Sequence, residues 1–322
     1  MPIGEISALL SAVLFGLSSI CIRKGMASGI NAPDNGLFLT NLINLIFFFI
    51  LMVVLIVLEG MPPLLLGGIF AFVVAGLLTS YFGRNTYFTA IQHLGPSRAS
   101  GFRVVTPFFT LVVSLFWLGE TVSPIGLVGM AITVVGLYLL SQESARTAEQ
   151  RTTPATVSTL GEKSGPAVST VAGKTRSVKY GMSMSLISSI AYGAGHTLRK
   201  VGLLDIPSPT FGNLIGSTVG LAGAVATFGA QGQLGAVIRG NLFPIHWWFV
   251  AASVVMSLAQ LAIFAGIFHT KVAIASTLYS TEPAFTLLFS WLFLNREEKI
   301  GRMTVIAIGL TIVGVAMIVQ RG

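Results

Sequence analysis

Charged residues are scarce in this chain of 322 residues, where they make up 9% of the total, whereas hydrophobic residues make up 53%. Soluble proteins carry about 25% charged residues, so this composition excludes an ordinary soluble domain. Cysteine is nearly absent: Cys21 stands alone, which excludes an intrachain disulfide framework. Zinc-ligand spacings, a nucleophile elbow and acidic pairs at helical spacing inside apolar segments are also missing. The sequence therefore predicts no enzyme, no metal site and no cofactor.

Long apolar runs stand where charges are missing. Leu37–Leu58 holds 22 residues without a charge, and Leu203–Ile238 contains only Asp205. Runs of about 18 or more such residues are typical of membrane spans, so lipid is the predicted solvent for most of the chain. The net charge of +8 comes from basic residues scattered through short loops and one hydrophilic segment, a pattern that does not favour binding to nucleic acid.

The apolar segments predict an all-α integral membrane protein with ten transmembrane helices. Ser141–Lys179 is rich in Ser, Thr, Gly and Pro and holds six basic and three acidic residues, so we predict a disordered charged linker there. The linker separates a five-helix unit at 1–140 from a second unit at 180–322. The predicted spans are Glu5–Ile22, Gly36–Leu58, Gly67–Ile91, Ser97–Leu118, Pro124–Leu140, Tyr180–Leu198, Thr210–Phe228, Trp247–Phe268, Val272–Leu294 and Thr304–Val319.

The two units are related in sequence at a shift of 176 residues. Matching pairs at this shift are His93 with His269, Pro107 with Pro283, and Phe109-Thr110-Leu111 with Phe285-Thr286-Leu287. Because each unit has an odd number of spans, the second unit enters the membrane from the opposite side. The predicted fold is therefore two inverted five-helix repeats, which are characteristic of secondary transporters and place a substrate site near the bilayer midplane.

Polar side chains form stripes inside two equivalent apolar segments. Glu282 and Tyr279 share a helical face of the ninth predicted span, and Arg103 is the equivalent of Tyr279 in the fourth. Pro107 and Pro283 interrupt these two spans at the same position, and each proline removes a backbone hydrogen bond. Freed carbonyl groups in lipid require protein or water as a partner. We therefore predict that the two stripes face each other across a water-filled cavity.

Charged groups within spans cost several kcal/mol and usually mark a site or an ion pathway. Helical spacing places Arg84 and Tyr87 on one face with Ser80, and the eighth span carries Gln260 at the position equivalent to Arg84. The predicted substrate-binding residues are Arg84, Glu282, Arg103, Tyr279, Gln260, Tyr87, Tyr192 and His196, and the predicted helix breaks are Pro107 and Pro283. Structural alternatives stay open: Glu282 pairs with Arg84 or Arg103 to join the halves, Arg103 reaches the membrane surface, or His196 is a hydrogen-bonded histidine of the bundle.

Two matching segments carry a family resemblance. "TPFFTLVVSLFWLGETVSPIGLVGMAITVVGLYLL" (Thr106–Leu140) pairs with "EPAFTLLFSWLFLNREEKIGRMTVIAIGLTIVGV" (Glu282–Val315). The proline of the fourth span in each unit and Gly119-Glu120 at its end resemble the drug/metabolite transporter superfamily, in its ten-span members with two EamA-type repeats. Asn295–Glu298 departs from this pattern in the second unit. The resemblance implies a cavity lined by the third, fourth, eighth and ninth spans with the first and sixth, and alternating access by rocking of the halves.

Two arginines and one glutamate near this cavity predict a secondary active transporter for a small polar metabolite, an amino acid or other carboxylate, because a guanidinium group binds a carboxylate bidentately. Glu282 is the candidate for coupling to protons. Two alternatives stay open: an exporter of aromatic or cationic drugs, with Glu282 as the cation acceptor, and a non-transporting membrane scaffold or flippase partner that presents the linker. The predicted partners are a small-molecule substrate and the lipid bilayer, and the sequence does not predict an oligomeric state.

Basic residues at span ends and in loops predict the orientation. Leaving Arg84 and Arg103 aside, 13 lie on the linker side, and the opposite side holds four: Arg199, Lys200, Lys271 and Arg321. The positive-inside rule then predicts a cell-membrane protein with the linker in the cytoplasm and both termini outside. The resembled superfamily often has cytoplasmic termini, so the two arguments conflict.

Overall fold

The computed structural model describes residues 3–27, 37–94, 104–152, 171–243, 247–293 and 302–321. These ranges are helical and contain no β-strand, which confirms the predicted all-α class. The first repeat contains α1 (Ile3–Ala27), α2 (Leu37–Glu59), α3 (Leu66–Gly76), a π-helical segment (Leu77–Gly83), α4 (Arg84–Leu94), α5 (Thr106–Leu118) and α6 (Pro124–Thr152). The second contains α7 (Val171–Asp205), α8 (Pro209–Ala230), α9 (Leu234–Leu242), α10 (Trp247–His269), α11 (Val272–Tyr279), α12 (Glu282–Phe293) and α13 (Arg302–Arg321).

Within the described ranges, five helical stretches are long and apolar enough to cross a membrane: Ile3–Ile22, Phe38–Glu59, Leu66–Tyr87, Pro209–Ala230 and Trp247–His269. Shorter apolar stretches lie at Thr106–Leu118, Pro124–Leu140 and Val305–Val319. The described part of the chain thus contains full-length candidate spans and shorter apolar helices, and it does not by itself establish ten spans.

The distribution of side chains is the reverse of that in a soluble protein. On α5, Phe116 is 85% exposed, whereas Thr110 and Ser114 are fully buried. On α2, Val57 is 80% exposed and Asn44 is 1% exposed. Apolar side chains on the outside contact hydrocarbon favourably, and polar groups find hydrogen-bond partners only between helices. The bundle is therefore built to be surrounded by lipid.

Helices α6 and α13 form an antiparallel pair between equivalent positions of the two repeats. A Cβ atom added to Gly136 would lie 2.6 Å from Thr311 Oγ1, and one added to Gly314 would meet the Thr133 side chain. With the two-residue insertion near 295, Gly136 corresponds to Gly314 and Thr133 to Thr311. The Gly136–Thr311 and Gly314–Thr133 contacts are thus equivalent in the two repeats. The absence of side chains at the glycines lets the two backbones approach closely.

The third predicted span of each repeat is a helical rod, Leu66–Leu94 in the first repeat and Trp247–His269 in the second; we call these the third-span rods. The first helix of each repeat packs antiparallel against the third-span rod of the other repeat. Ser11 Oγ of α1 donates to the Ala259 carbonyl at 2.8 Å, and Ser18 Oγ donates to the Ala252 carbonyl at 3.1 Å, so the two chains run in opposite directions. Helix α7 runs the same way along α3 and α4, where Ser188 Oγ donates to the Gly83 carbonyl at 2.7 Å. The two repeats thus make the same kind of helix pair with each other.

The predicted ninth span is discontinuous. Helix α11 ends at Tyr279, the chain turns at Ser280 and Thr281, and α12 begins at Glu282 with Pro283 in its first turn. In the first repeat, α5 begins at Thr106, the position equivalent to Glu282, and Pro107 lies in its first turn. Proline is favoured in the first turn, since its missing N–H group has no intrahelical partner there. Each proline thus starts a new helix and does not kink a continuous one.

The helices extend beyond the predicted spans into the hydrophilic connection. Helix α6 continues to Thr152 and α7 begins at Val171, so both ends of the predicted linker at 141–179 are helical. Residues 143–150 include Ala, Glu, Gln and Arg, which are strong helix formers and continue a helix beyond its apolar part. Residues 153–170 lie outside the described part of the chain, and disorder there stays a prediction.

Candidate functional site

The π-helical segment sets the direction of Arg84. In an α-helix, residues five apart are rotated by about 140° from each other. Hydrogen bonds from residue i to i+5 bring such residues onto one face. Thr79 lies within the π-helical segment and Arg84 follows it directly, so both face the same side. Ser80, which α-helical spacing groups with Arg84, packs instead against α8, where a Cβ added to Gly220 would lie 2.9 Å from Ser80 Cβ.

A buried arginine of α7 lies against the π-helical segment. Arg199 is 6% exposed, its Nη2 donates to Thr79 Oγ1 at 2.8 Å, and its guanidinium group lies 4.5 Å from the centre of the Phe264 ring. Thr79 follows the start of α3 at Leu66 by 13 residues and precedes the end of α4 by 15, so this guanidinium group lies at mid-height of the bundle.

The sequence prediction placed Arg199 at the surface, and this was wrong. The apolar run before it ends at Leu198, and Arg199-Lys200 looked like an interfacial basic pair. Helix α7 instead continues to Asp205, and Lys200 Nζ alone binds backbone carbonyls there, those of Ile267, Phe268 and Thr270. The helical stripe through Ser185, Ser189, Tyr192 and His196 contains Arg199 as its next member, and this spacing was the signal for its location.

Aromatic side chains form a row beside these arginines. The His196 ring lies 6.1 Å from the Tyr192 ring and 5.9 Å from the Tyr279 ring, measured between centroids. Tyr279 also makes an edge-to-face contact with Phe15 of α1 at 5.2 Å. These rings come from α7, α11 and α1. Three predicted site residues, Tyr192, His196 and Tyr279, therefore come together in the structure. We call Tyr192, His196, Tyr279 and Phe15 the aromatic row.

Arg84 and Glu282 have different partners. Arg84 Nη1 donates to Asn41 Oδ1 of α2, and Glu282 Oε1 accepts from Ser19 Oγ of α1 at 3.3 Å. These two partners lie on different helices of the first repeat, and the alternative in which Glu282 pairs with Arg84 or Arg103 stays a prediction. Glu282 begins α12, where a carboxylate interacts favourably with the positive end of the helix dipole.

Among the described residues, the helices that carry the two predicted polar stripes pack mainly against other helices. Thr110 Oγ1 of α5 lies 3.0 Å from Ser276 Oγ of α11, which is one polar contact between the repeats. Helix α12 packs instead against α1, where a Cβ added to Gly16 would lie 3.0 Å from the Thr286 nitrogen. Because each broken helix packs against the first helix of the other repeat, its stripe is turned toward that helix.

Gln260, Tyr87 and Arg103 complete the set of predicted site residues. Gln260 is 6% exposed on α10, and its backbone carbonyl accepts from Asn213 Nδ2 at 3.5 Å. Tyr87 is half-buried on α4. Arg103 lies outside the described residues, so its part in the site stays a prediction.

The Gly119-Glu120 pair connects the repeats at the end of α5. Gly119 adopts a left-handed conformation with φ of 64°, and Glu120 N–H donates to the Ser114 carbonyl at 3.4 Å. Glu120 Oε2 then accepts from the Val272 N–H at 2.8 Å, at the start of α11. Burial raises the pKa of Glu120, while the Val272 N–H and nearby lysines act in the opposite direction. Asn295–Glu298, the corresponding segment, lies outside the described residues.

Together these contacts describe charged, polar and aromatic side chains that lie between the helices of the two repeats. Arg84 and Arg199 supply donors for an anionic group, the aromatic row supplies flat apolar surface, and Glu282 supplies a carboxylate. No group of three or more His, Cys, Asp or Glu residues positioned to hold a metal ion is found in the described part of the chain.

The amino-acid sequence matches a known protein family over nearly its whole length. The model of the EamA-like transporter family matches residues 2–142 and again residues 179–320. The chain belongs to the EamA-like transporter family. This confirms the resemblance read from Thr106–Leu140 and Glu282–Val315, and it identifies the chain as a membrane transporter with two EamA repeats.

The fold of this EamA-like transporter also occurs among solved structures. One crystal structure, described only as that of a protein, superposes with a TM-score of 0.67 over 99% of each chain at 14% sequence identity. At this identity the likeness shows the fold alone. No curated protein sequence matches the chain.

Proposed function

We propose that this EamA-like transporter is a secondary active transporter of a small polar metabolite, an amino acid or other carboxylate. In this proposal ten spans form two inverted repeats, and the discontinuous α11–α12 counts as one span. The observation that carries the proposal is the pair of arginines at the centre, Arg84 beside Asn41 and Arg199 beside Thr79. Charged groups inside a membrane bundle mark substrate or ion pathways.

The pairing of helices supports alternating access. Equivalent helices run antiparallel at α6–α13, and Gly136 and Gly314 make equivalent contacts there. Two halves related in this way form equivalent closing contacts on the two sides of the membrane, so rocking one half against the other opens each side in turn. Proton coupling through Glu282 remains part of the proposal, because a carboxylate at the start of α12 is the titratable acid nearest the aromatic row along the chain.

The proposed location is the cell membrane, with the linker in the cytoplasm and both termini outside. Removing Arg199 from the basic residues of the N-terminal side leaves three there: Lys200, Lys271 and Arg321. The buried position of Arg199 therefore strengthens the charge asymmetry on which the positive-inside rule depends.

Export of aromatic or cationic drugs is the second candidate, and the aromatic row is the observation that favours it. Such an exporter would bind cations next to Glu282, whereas two arginines repel them. The charge of the molecule that binds therefore separates the two functions. Binding of ligands of similar shape that differ in charge measures this preference.

Arg84→Ala in the full chain, reconstituted in proteoliposomes, tests the proposal. We expect uptake of the transported carboxylate, identified by screening labelled amino acids and organic acids, to fall about thirtyfold or more. Loss of a hydrogen-bonded charge at a binding site costs roughly 2–5 kcal/mol, and 1.4 kcal/mol corresponds to tenfold.

Arg239→Ala is the matched control, since Arg239 is an exposed arginine on α9 that lines an open groove of about 540 Å³. It should leave transport unchanged. Transport by Arg84→Ala at the rate of the unmodified protein would reject the assignment of Arg84.

A further inference from the structure

Arg199 is a buried cation for which the described residues supply no buried anion. Its interactions in the described structure are the hydrogen bond to Thr79, the contact with the Phe264 ring and electrostatic interactions with Tyr192, Tyr279 and Arg84. None of these groups is a carboxylate. The Arg199 side chain is nevertheless 6% exposed.

An unpaired charge of this kind is unfavourable in the interior of a membrane bundle. Removing an ion from water is costly unless an opposite charge and hydrogen bonds replace the solvent. Arg84 adds to the cost, because it directly follows the π-helical segment whose Thr79 contacts Arg199, so a second positive charge lies on the same side. Because the fold places two guanidinium groups on the same side of this segment, binding of an anion there would be favourable.

Unused hydrogen-bond donors lie at the same place. A guanidinium group has five N–H donors, and the described contacts use one donor of Arg199 and one of Arg84. Asn41, which accepts from Arg84, is 2% exposed, and its Nδ2 has no hydrogen-bond partner in the described structure. These donors suit the oxygen atoms of a carboxylate or another oxyacid group.

The surroundings of Arg199 also indicate the rest of the ligand. Arg199 follows His196 by three residues on the same face of α7, and the His196 ring contacts Tyr192 and Tyr279 in the aromatic row. Flat rings with polar edges bind planar or apolar bodies while leaving the charged end of a ligand to the arginines.

We propose that Arg199 and Arg84 together bind the oxyacid group of an organic anion whose apolar or aromatic body lies against the aromatic row. Arg199 is then a specificity-determining residue that selects an anion over a neutral or cationic molecule of the same shape. This inference rests on the proposed transport function and narrows its substrate class from small polar metabolites to organic anions. The π-helical segment is part of the site, since it turns Thr79 and Arg84 to the same side as Arg199.

A probe series that varies only in charge tests the inference by binding alone. The probes are phenylacetate, phenylacetamide and phenethylamine, which carry one negative charge, none and one positive charge at neutral pH. Thermal unfolding of the purified full chain is followed as each probe is added. We expect phenylacetate to raise the Tm at concentrations at least tenfold lower than phenylacetamide, and phenethylamine to give no rise. Acetate, which lacks the ring, should act only at higher concentrations than phenylacetate.

Two variants separate binding from folding. Arg199→Gln should lose the preference for phenylacetate over phenylacetamide, and its Tm without any probe should equal or exceed that of the unmodified protein because an uncompensated buried charge is gone. Arg199→Lys keeps the charge without the planar fork, so it should retain the preference with weaker binding. Arg239→Gln, the exposed control on α9, should behave like the unmodified protein.

The results that would overturn the inference are distinct from those that bear on transport. A retained preference in Arg199→Gln, equal or better binding of phenylacetamide or phenethylamine, or no Tm shift with any anionic probe would each reject it. A lower Tm of Arg199→Gln without probe would assign Arg199 to structural support instead. Anion binding without transport in proteoliposomes would reject the proposed function while leaving the anion site in place.

Discussion

The third-span rods of the two repeats differ where the site lies. In the first repeat a π-helical segment at Leu77–Gly83 precedes Arg84, whereas α10 is one continuous α-helix from Trp247 to His269 and carries Gln260 at the equivalent position. Both rods pack antiparallel against the first helix of the other repeat. The two repeats therefore share the pairing of their helices. They differ in the charged residue at this position and in the π-helical segment that sets its direction.

The first helices of the repeats show the same division. Helix α7 carries Tyr192, His196 and Arg199 on one face, and the corresponding positions of α1 are Gly16, Ile20 and Arg23. The polar face of α7 contacts the π-helical segment and the aromatic row, while Gly16 allows close approach of α12 to α1. Helix α7 therefore contributes the arginine described at the centre, whereas α1 contributes Phe15 to the aromatic row and Ser19 as a partner of Glu282.

The strongest test of this comparison moves the arginine to the other repeat. The double variant Arg84→Gln with Gln260→Arg keeps the composition and the net charge, yet α10 lacks the π-helical segment and the Thr79–Arg199 contact. We expect the double variant to lose transport about as fully as Arg84→Gln alone, by thirtyfold or more in proteoliposomes. Recovery of transport in the double variant would show that the two repeats are interchangeable at this site.

A smaller effect tests the symmetric part of the scaffold. Gly136→Ala and Gly314→Ala should each destabilise the protein, by about 1–3 kcal/mol, because the added Cβ atom meets α13 or α6 at less than 3.0 Å. The two losses in Tm should be similar, since the positions are equivalent. Gly309→Ala is the control on α13, because nothing lies within 4 Å of its added Cβ. A loss at Gly309 as large as at Gly314 would contradict the packing argument.

The smallest expected effect concerns pH and the contact between Glu120 and Val272. Burial raises the pKa of Glu120 above its ordinary value of 4.5, so the folded state holds this proton at a pH where the unfolded chain has released it. Stability should then fall as pH rises from 4.5 through the folded pKa. Glu120→Gln removes this dependence. The Tm of the variant minus the Tm of the unmodified protein should therefore increase as pH rises over the same range. A constant Tm difference from pH 4 to 8 would reject this account.

Much of the scaffold follows from local patterns in the sequence. Apolar runs predict the helices, since a backbone in lipid must bond to itself, and the shift of 176 residues predicts the repeats. Pro107 and Pro283 predict interruptions at equivalent places, because each lacks an N–H group. The end of α6 was missed, since apolar content marks the span and helix-forming polar residues continue the helix beyond it.

Parts of the candidate site were beyond local patterns. The π-helical segment adds a residue to one turn, and apolar periodicity does not register a change of this size in a nearly uniform apolar run. The location of Arg199 also depends on where α7 ends and on how far its long side chain reaches. Helical spacing from His196 to Arg199 contains part of that information, and the contact with Thr79 requires knowledge of which helix lies opposite.

Residue type and spacing were enough to predict the helical class, the duplication, the EamA-type signature and the polar groups in apolar segments, because each is a local property of the chain. Which of those groups meet depends on tertiary packing. It brought Arg199 to Thr79, Tyr279 to His196 and Glu120 to Val272 across more than a hundred residues or between separate helices. Such contacts depend on the packing of whole helices, because a rotation of a helix about its axis changes the direction of every side chain on it.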